Sequence, residues 1–411
     1  MRLPLFVVFL LSGLQLLAQF DSTGHSITCW SRDTVTGIVV PPPASIVDGT
    51  AALQTRFDLI FTDSVPPEAE ESIRFAADVW GKYLQSDVPI RVQVDWLDQG
   101  DDRILASAGP STLYRGFAGV PDSEVWYPVA LAEAIFGEDL NDTTDADINV
   151  VVNSRANWNY ATEGTVPRNR IDLASVIFHE FGHGLGFLSS IDSTSDTTVS
   201  IGFNDRFIVY DLFLETPPGL SLSDTIRFPS PSRQLLDAII DRLEFAGERA
   251  VEENNGELVP LFAPEVFDIG SSVSHLDENT YPAGTEDALM TPSIASGEAI
   301  RMPGPVTLGV LFDLGWPLRF DLISAIREVV TGRLKVYPNP AYGSFTLEMD
   351  EVVDPAFALL YSPDGRQVGR QAISPNADGR ARIGIENLPA GVYTVVVPDG
   401  HRLFTGRVVV L

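Results

Sequence analysis

The stretch RIDLASVIFHEFGHGLGF, residues 170–187, constrains this chain more than any other. Its apolar spacing predicts a long helix with Asp172 near its start. His179 and His183 stand one helical turn apart, so both face the same way and both can reach one ion. Glu180 is rotated away from that ion but reaches a water bound to it. The whole chain holds only 5 histidines, which makes a chance HExxH improbable. A helix running on past His183 would favour a third ligand from a second helix. Here the helix meets GLG at once, and Gly186 is placed to take a positive φ and turn the chain away.

Two histidines do not complete a catalytic metal site, which takes three protein ligands and keeps one position open. The remaining histidines are His25, His275 and His401. His275 lies in GSSVSHLDENTYPAGTEDALMTPSI, with Met290 further along in LMTP. Glu215 in DLFLET is the acidic alternative. The pattern HExxHxxG resembles the metzincin clan of zinc proteases. The ordinary clan pattern carries a histidine where this chain has Ser189. The order HEFGH, then SH, then LM, with 189–274 between them, resembles the leishmanolysin arrangement within that clan. The resemblance is confined to these two motifs and their order.

What the resemblance implies is an α+β catalytic domain, a mixed sheet plus an active-site helix. One catalytic Zn2+ would be held by His179, His183 and His275. Glu180 would be the base, with Met290 as an apolar floor and Gly186 at the turn. The implied activity is endopeptidase action on protein or peptide substrates, water being activated by Glu180. Some metzincins carry a tyrosine two residues after the methionine. This chain has Pro292 there, and Tyr281 is the available substitute. Asp277 and Glu278 are candidates for orienting His275. An edge strand beside the cleft would pair with an extended peptide. INVVVN, before the helix, is the candidate, a buried strand being the alternative.

The N-terminus MRLPLFVVFLLSGLQLLAQF reads as a secretory signal peptide over residues 1–19. Its apolar run is short for a membrane span of about 20 residues. No other segment is apolar enough to span a membrane. Residues 20–50 are polar and end in VVPPPAS, as a prosegment or linker would. Cys29 is the only cysteine, so no intramolecular disulfide exists. It is either a small buried thiol or a zinc-binding latch. The net charge of −29 repels nucleic acid and anionic membranes. The acidic run EDLNDTTDAD, 138–147, reads as a solvated loop. It offers Ca2+ oxygen ligands but lacks EF-hand spacing.

Residues 51–320 read as the catalytic domain and 321–333 as a linker containing a helix over 321–330. From Leu334 to Leu411 short strands alternate with turn signals, which predicts a small β-sandwich. LKVYPNPAYGSF followed by LPAGVYTVVV resembles the C-terminal sorting domain of type IX secretion. That resemblance implies recognition by the type IX machinery and a product secreted or held at the cell surface. The rival from another class is a surface adhesin or binding protein whose metal site is not catalytic.

Overall fold

Alternating apolar residues and helix-spaced apolar residues build one mixed layer structure in the larger part of the chain. The computed structural model describes residues 19–21, 26–62, 64–217, 219–319, 322, 330–348, 357–362, 367–373, 376, 380–385, 388–399 and 402–411. These fall into two units, 1–323 and 324–411. The signal-peptide reading lies outside the described residues apart from Gln19, and His25 and His401 lie outside them too.

In the larger unit the elements that position the site are β1 (Ile27–Val35), β2 (Phe57–Phe61), α1 (Pro67–Tyr83), β3 (Ile90–Leu97), β4 (Ile104–Pro110), α2 (Val129–Phe136), β5 (Ile148–Asn153), α3 (Leu173–Gly184), β6 (Ser293–Ser296) and α4 (Pro305–Leu314). They form a six-stranded sheet in the order β6-β1-β4-β5-β3-β2. Strands β2, β3 and β5 run parallel. Strand β4 runs antiparallel to β5, and β1 antiparallel to β4. Pro67 at the first turn and Glu68 and Glu70 start α1. The α1 helix packs against α3, where Trp80 Nε1 donates to the carbonyl of Phe178 at 2.9 Å. Every residue of α3 is buried.

Two expectations need correction. From Ile27 onward the 20–50 segment is no free linker. Its ITCW alternation buries Ile27 and Cys29, and β1 is sewn between β4 and β6. Val39–Val40 then pairs with Ala299–Ile300. INVVVN is not an edge strand: β5 lies between β4 and β3, with Ile148, Val150 and Val152 fully buried. Of the helix expected over 321–330, only Leu322 and Val330 are described, and Val330 opens a strand (Val330–Arg333) paired with Arg402–Val410.

In the smaller unit, Lys335–Tyr342, Ser344–Glu348 and Arg380–Gly384 form one sheet. Phe357–Tyr361, Gln367–Ala372, Gly391–Asp399 and Arg402–Val410 form another. Lys335–Tyr342 joins the two where Ala341 meets Val410. The core includes Phe345, Leu347, Leu360, Ile383, Val395 and Val408. Among the described residues no helix is long and apolar enough to cross a membrane.

Candidate metal centre

The helix that carries the site is fixed at both ends. Asp172 caps its start, accepting from Ser175 N at 3.3 Å and Ser175 Oγ at 2.6 Å. The same carboxylate pairs at 2.9 Å with Arg301, and both side chains are buried. A buried pair of this kind survives only when its other atoms are satisfied. Arg301 also donates to the carbonyls of Ala161 and Gly164, and Asn159 donates to Asp172.

At the other end, Gly186 takes φ +120°. Phe187 N donates to Gly182 O and Gly186 N to His183 O, a Schellman closure. The turn swings the Phe187 carbonyl back to accept from His183 Nδ1 at 2.7 Å. The glycine turn therefore orients a ligand as well as ending a helix.

The other two imidazoles are held the same way. His179 Nδ1 meets Leu289 O at 2.7 Å, and His275 Nδ1 meets Ser271 O at 2.8 Å. A carbonyl only accepts, so each Nδ1 carries the proton and each Nε2 presents a lone pair. The three Nε2 atoms converge, 2.9, 3.2 and 3.3 Å apart. Tetrahedral zinc at ~2.05 Å from each nitrogen sets its ligands about 3.3 Å apart. Three lone pairs aimed at one point have no proton to share, and a cation reconciles them. The residues fit a metal on that ground. Burial depresses all three imidazoles, His179 to about 4, which keeps them neutral.

Glu180 sits beside this cluster with both carboxylate oxygens accepting no hydrogen bond, and burial pushes its pKa well up. Met290 lies against the helix between the two histidines. A Cβ on Gly182 would meet its sulfur at 2.6 Å, so any larger residue there would have to displace the end of the methionine side chain. Met290 O also accepts from Leu276 N at 2.8 Å, tying the turn to the residue after His275.

The loop carrying His275 is strained. Val273 stands at φ +72°, where a β-branched residue costs about 1–3 kcal/mol. Its N–H donates to Phe262 O, and its carbonyl accepts from Tyr210. These bonds over-determine the conformation that delivers His275.

Other expected residues fall elsewhere. Glu215 pairs with Ser221 and Glu244 in a small sheet, and among the described residues the metal-ligand clusters do not include it. Tyr281 donates to Asn254 Oδ1. Neither Asp277 nor Glu278 orients His275: Asp277 caps Thr280 N, and Glu278 pairs with Arg32. Cys29 is a buried thiol whose sulfur lies within 4.8 Å of ligand atoms of His179 and Glu180, a grouping that shares His179 with the three-histidine cluster. In the acidic run, Asp139 pairs with Arg91, Asp142 caps Thr144 N, and Asp147 accepts from Arg91 N.

Sequence reasoning missed Ser189 and Asp211. Ser189, where the ordinary pattern has a ligand, donates its N–H to Ser274 Oγ at 3.0 Å. That bond joins the two ends of the 189–274 insertion next to His275. Asp211 accepts from Ser189 Oγ, Ser190 N and Ser190 Oγ, and burial lifts its pKa to about 6. Seryl pairs and a lone aspartate carry no distinctive spacing, so no sequence signal marked them.

Comparison with known proteins assigns one part of the chain firmly. A family model described as SPBPB7E8-like matches residues 44–208. A model of the secretion system C-terminal sorting domain matches residues 335–411. A Schizosaccharomyces pombe protein, named as the uncharacterized protein PB7E8.01, is 39% identical over 62 residues. That stretch covers 15% of this chain and 11% of the yeast protein. Among solved structures, a thermostable endoglucanase from Alicyclobacillus acidocaldarius is 22% identical at TM-score 0.14, covering 16% of this chain and 12% of its own. The BSP domain of a biofilm associated protein is 19% identical at TM-score 0.17, covering 20% and 16%. Likenesses this slight bear on neither fold nor function. The smaller unit is a sorting domain, and the chain is exported by type IX secretion to the cell surface or medium.

Proposed function

We propose that the larger unit is a zinc-dependent endopeptidase of metzincin-like architecture, exported as type IX cargo. The observation that carries this reading is the convergence of three deprotonated Nε2 atoms beside an unpartnered, buried carboxylate. His179, His183 and His275 would hold the ion. A zinc ion in such a site polarises a carbonyl and makes water acidic enough to attack near neutral pH. Glu180 takes the proton of the attacking water and delivers it to the leaving amine. Met290 and the Leu289 carbonyl keep the helix and His179 in place.

One observation favours a second reading. His183, Glu180 and His275 are 0% exposed and His179 is 3% exposed, as a structural metal site in a surface binding protein would be. The two readings part on the base. Zinc content and hydrolysis of a broad quenched-fluorescent peptide library are measured for wild type, Glu180→Gln and His275→Ala. An endopeptidase keeps its zinc in Glu180→Gln but loses hydrolysis, and loses both in His275→Ala. Hydrolysis unchanged in Glu180→Gln would sink the proposed role.

A further inference from the structure

We infer that the 189–274 insertion carries a docking groove for a segment of the protein substrate that lies outside the cleaved bond, a segment both cationic and aliphatic. This rests on the endopeptidase reading and concerns the substrate of that same site. The groove has a volume of about 460 Å³. Its walls are the hairpin Asp192–Ser195 and Thr198–Ser200, the helix Arg233–Ile239 with Ile240, and the loop 265–269. Val199, Leu236 and Ile240 line it from the hairpin and helix sides. On the loop side Val266 and Ile269 stand 79% and 63% exposed. Apolar side chains gathered at a concave surface and rimmed by polar residues mark a contact surface.

The walls are fixed before anything binds. Val199 N donates to Ser232 O at 3.4 Å and Ser232 N to Val199 O at 3.0 Å, which ties the hairpin to the start of the helix. Ser232 caps that helix, its side chain accepting from Leu235 N at 2.9 Å. On the loop side Asp268 N donates to Ser272 Oγ, and Ser271 N and Ser272 N donate to Asp268 O. Both walls are rooted at the metal centre. The hairpin begins three residues after Ser189, and Ile269 lies two residues before Ser271, whose carbonyl accepts from His275 Nδ1. Two residues of chain reach at most about 7 Å. The Ser189–Ser274 bond joins the two roots. A segment seated in the groove is therefore tethered close to the metal ligands.

Charge selects the occupant. The rim carries Asp196 and Glu265, both exposed, while the arginine of the walls, Arg233, is met by Asp237 at 2.7 Å. The insertion as a whole holds 15 carboxylate side chains, 5 arginines and no lysine. An acidic segment would be repelled here. Lysine or arginine flanking an aliphatic residue would meet the rim while the aliphatic side chain fills the groove. Exposed ion pairs contribute little each, so the apolar interior supplies most of the hold and the rim decides which segments enter.

The test uses the chain from Gln19 onward carrying Glu180→Gln, so that a bound probe is not consumed. The probe is a short fluorescein-labelled peptide of alternating lysine and valine, with a glutamate–valine peptide as its control, and binding is read by anisotropy. Zinc content is read throughout, and a variant that keeps it is folded. The expected result is binding of the lysine peptide that weakens as salt rises, with the glutamate peptide unbound. Asp196→Lys combined with Glu265→Lys weakens it roughly tenfold, and Leu236→Ser combined with Val266→Ser does so by a similar factor. Glu257→Lys, an exposed charge reversal outside the groove walls, changes it less than about twofold. With Glu180 restored, a carrier protein bearing the lysine–valine segment is cut faster than the same carrier bearing the glutamate–valine segment, and the rim reversal removes that preference. Equal weakening by Glu257→Lys would make the binding a matter of overall charge and overturn the inference. A lysine peptide held as tightly after the rim reversal, or not held by the parent chain, overturns it too, and leaves the endopeptidase reading standing. A zinc-loaded chain that binds the probe in the groove and cuts neither carrier overturns the endopeptidase reading and leaves the docking groove.

Discussion

Removing the metal should unfasten the insertion, and His275 is the residue through which this shows. His275 lies 92 residues from His183, so an ion bound by all three histidines would clamp the far end of the insertion onto α3. An ion that binds only the folded state stabilises it by mass action. Free zinc at a thousandfold excess over Kd is worth about 4 kcal/mol. For a unit of this size each kcal/mol moves Tm by roughly 2 °C. Calorimetry of the zinc-loaded chain should therefore show the larger unit's transition fall by roughly 8 °C on chelation. In His275→Ala two ligands remain, saturation is lost, and the chelator shift should shrink below roughly 2 °C. Glu215→Ala should respond as wild type, since that side chain lies in the small sheet of the insertion. Equal shifts in wild type and His275→Ala would refute the three-histidine geometry. A shift abolished in Glu215→Ala would refute it in favour of the acidic ligand.

Three further outcomes follow from named contacts. Gly182→Ala places a Cβ 2.6 Å from the Met290 sulfur, and overpacking of this kind costs about 1–3 kcal/mol; urea unfolding and zinc affinity should both fall. Asp211→Asn keeps one acceptor oxygen where the carboxylate serves two serines and two backbone N–H groups, so about 1–3 kcal/mol should be lost, with weaker zinc binding through the Ser189–Ser274 bond. Glu133 has its pKa raised from 4.5 to about 8 by burial first and by Asp147 second. Its contribution is thus fully present below pH 4.5 and lost as pH rises through about 8. Glu133→Gln keeps an oxygen for Leu140 N and Asn141 N, so at pH 9 it should be more stable than wild type by roughly 1–3 kcal/mol. At pH 5 the gain should vanish, and a pH-independent difference would contradict the assignment.

The helix and its turn were legible because each rests on local chemistry. Histidine spacing, the Asp172 cap and a glycine that must take φ +120° all act within a few residues. His275 and Met290 were legible only through their order in the chain, since nothing local says that a loop will fold back over 92 residues. INVVVN misled for a related reason. Alternation and β-branching mark a strand, but a central and an edge strand differ in their neighbours, which lie far away in sequence. The N-terminal segment misled more. Its polar composition and prolines resemble a tether, yet two buried side chains and a ladder of backbone bonds suffice to hold it in the sheet.

That last misreading bears directly on function. The resemblance to secreted zinc proteases leads one to expect an open cleft, and the ligand geometry agrees with the metal while the burial disagrees with the cleft. Strand β1 accounts for part of that burial: it pairs with β4, and the Cys29 sulfur lies within 4.8 Å of ligand atoms of His179 and Glu180.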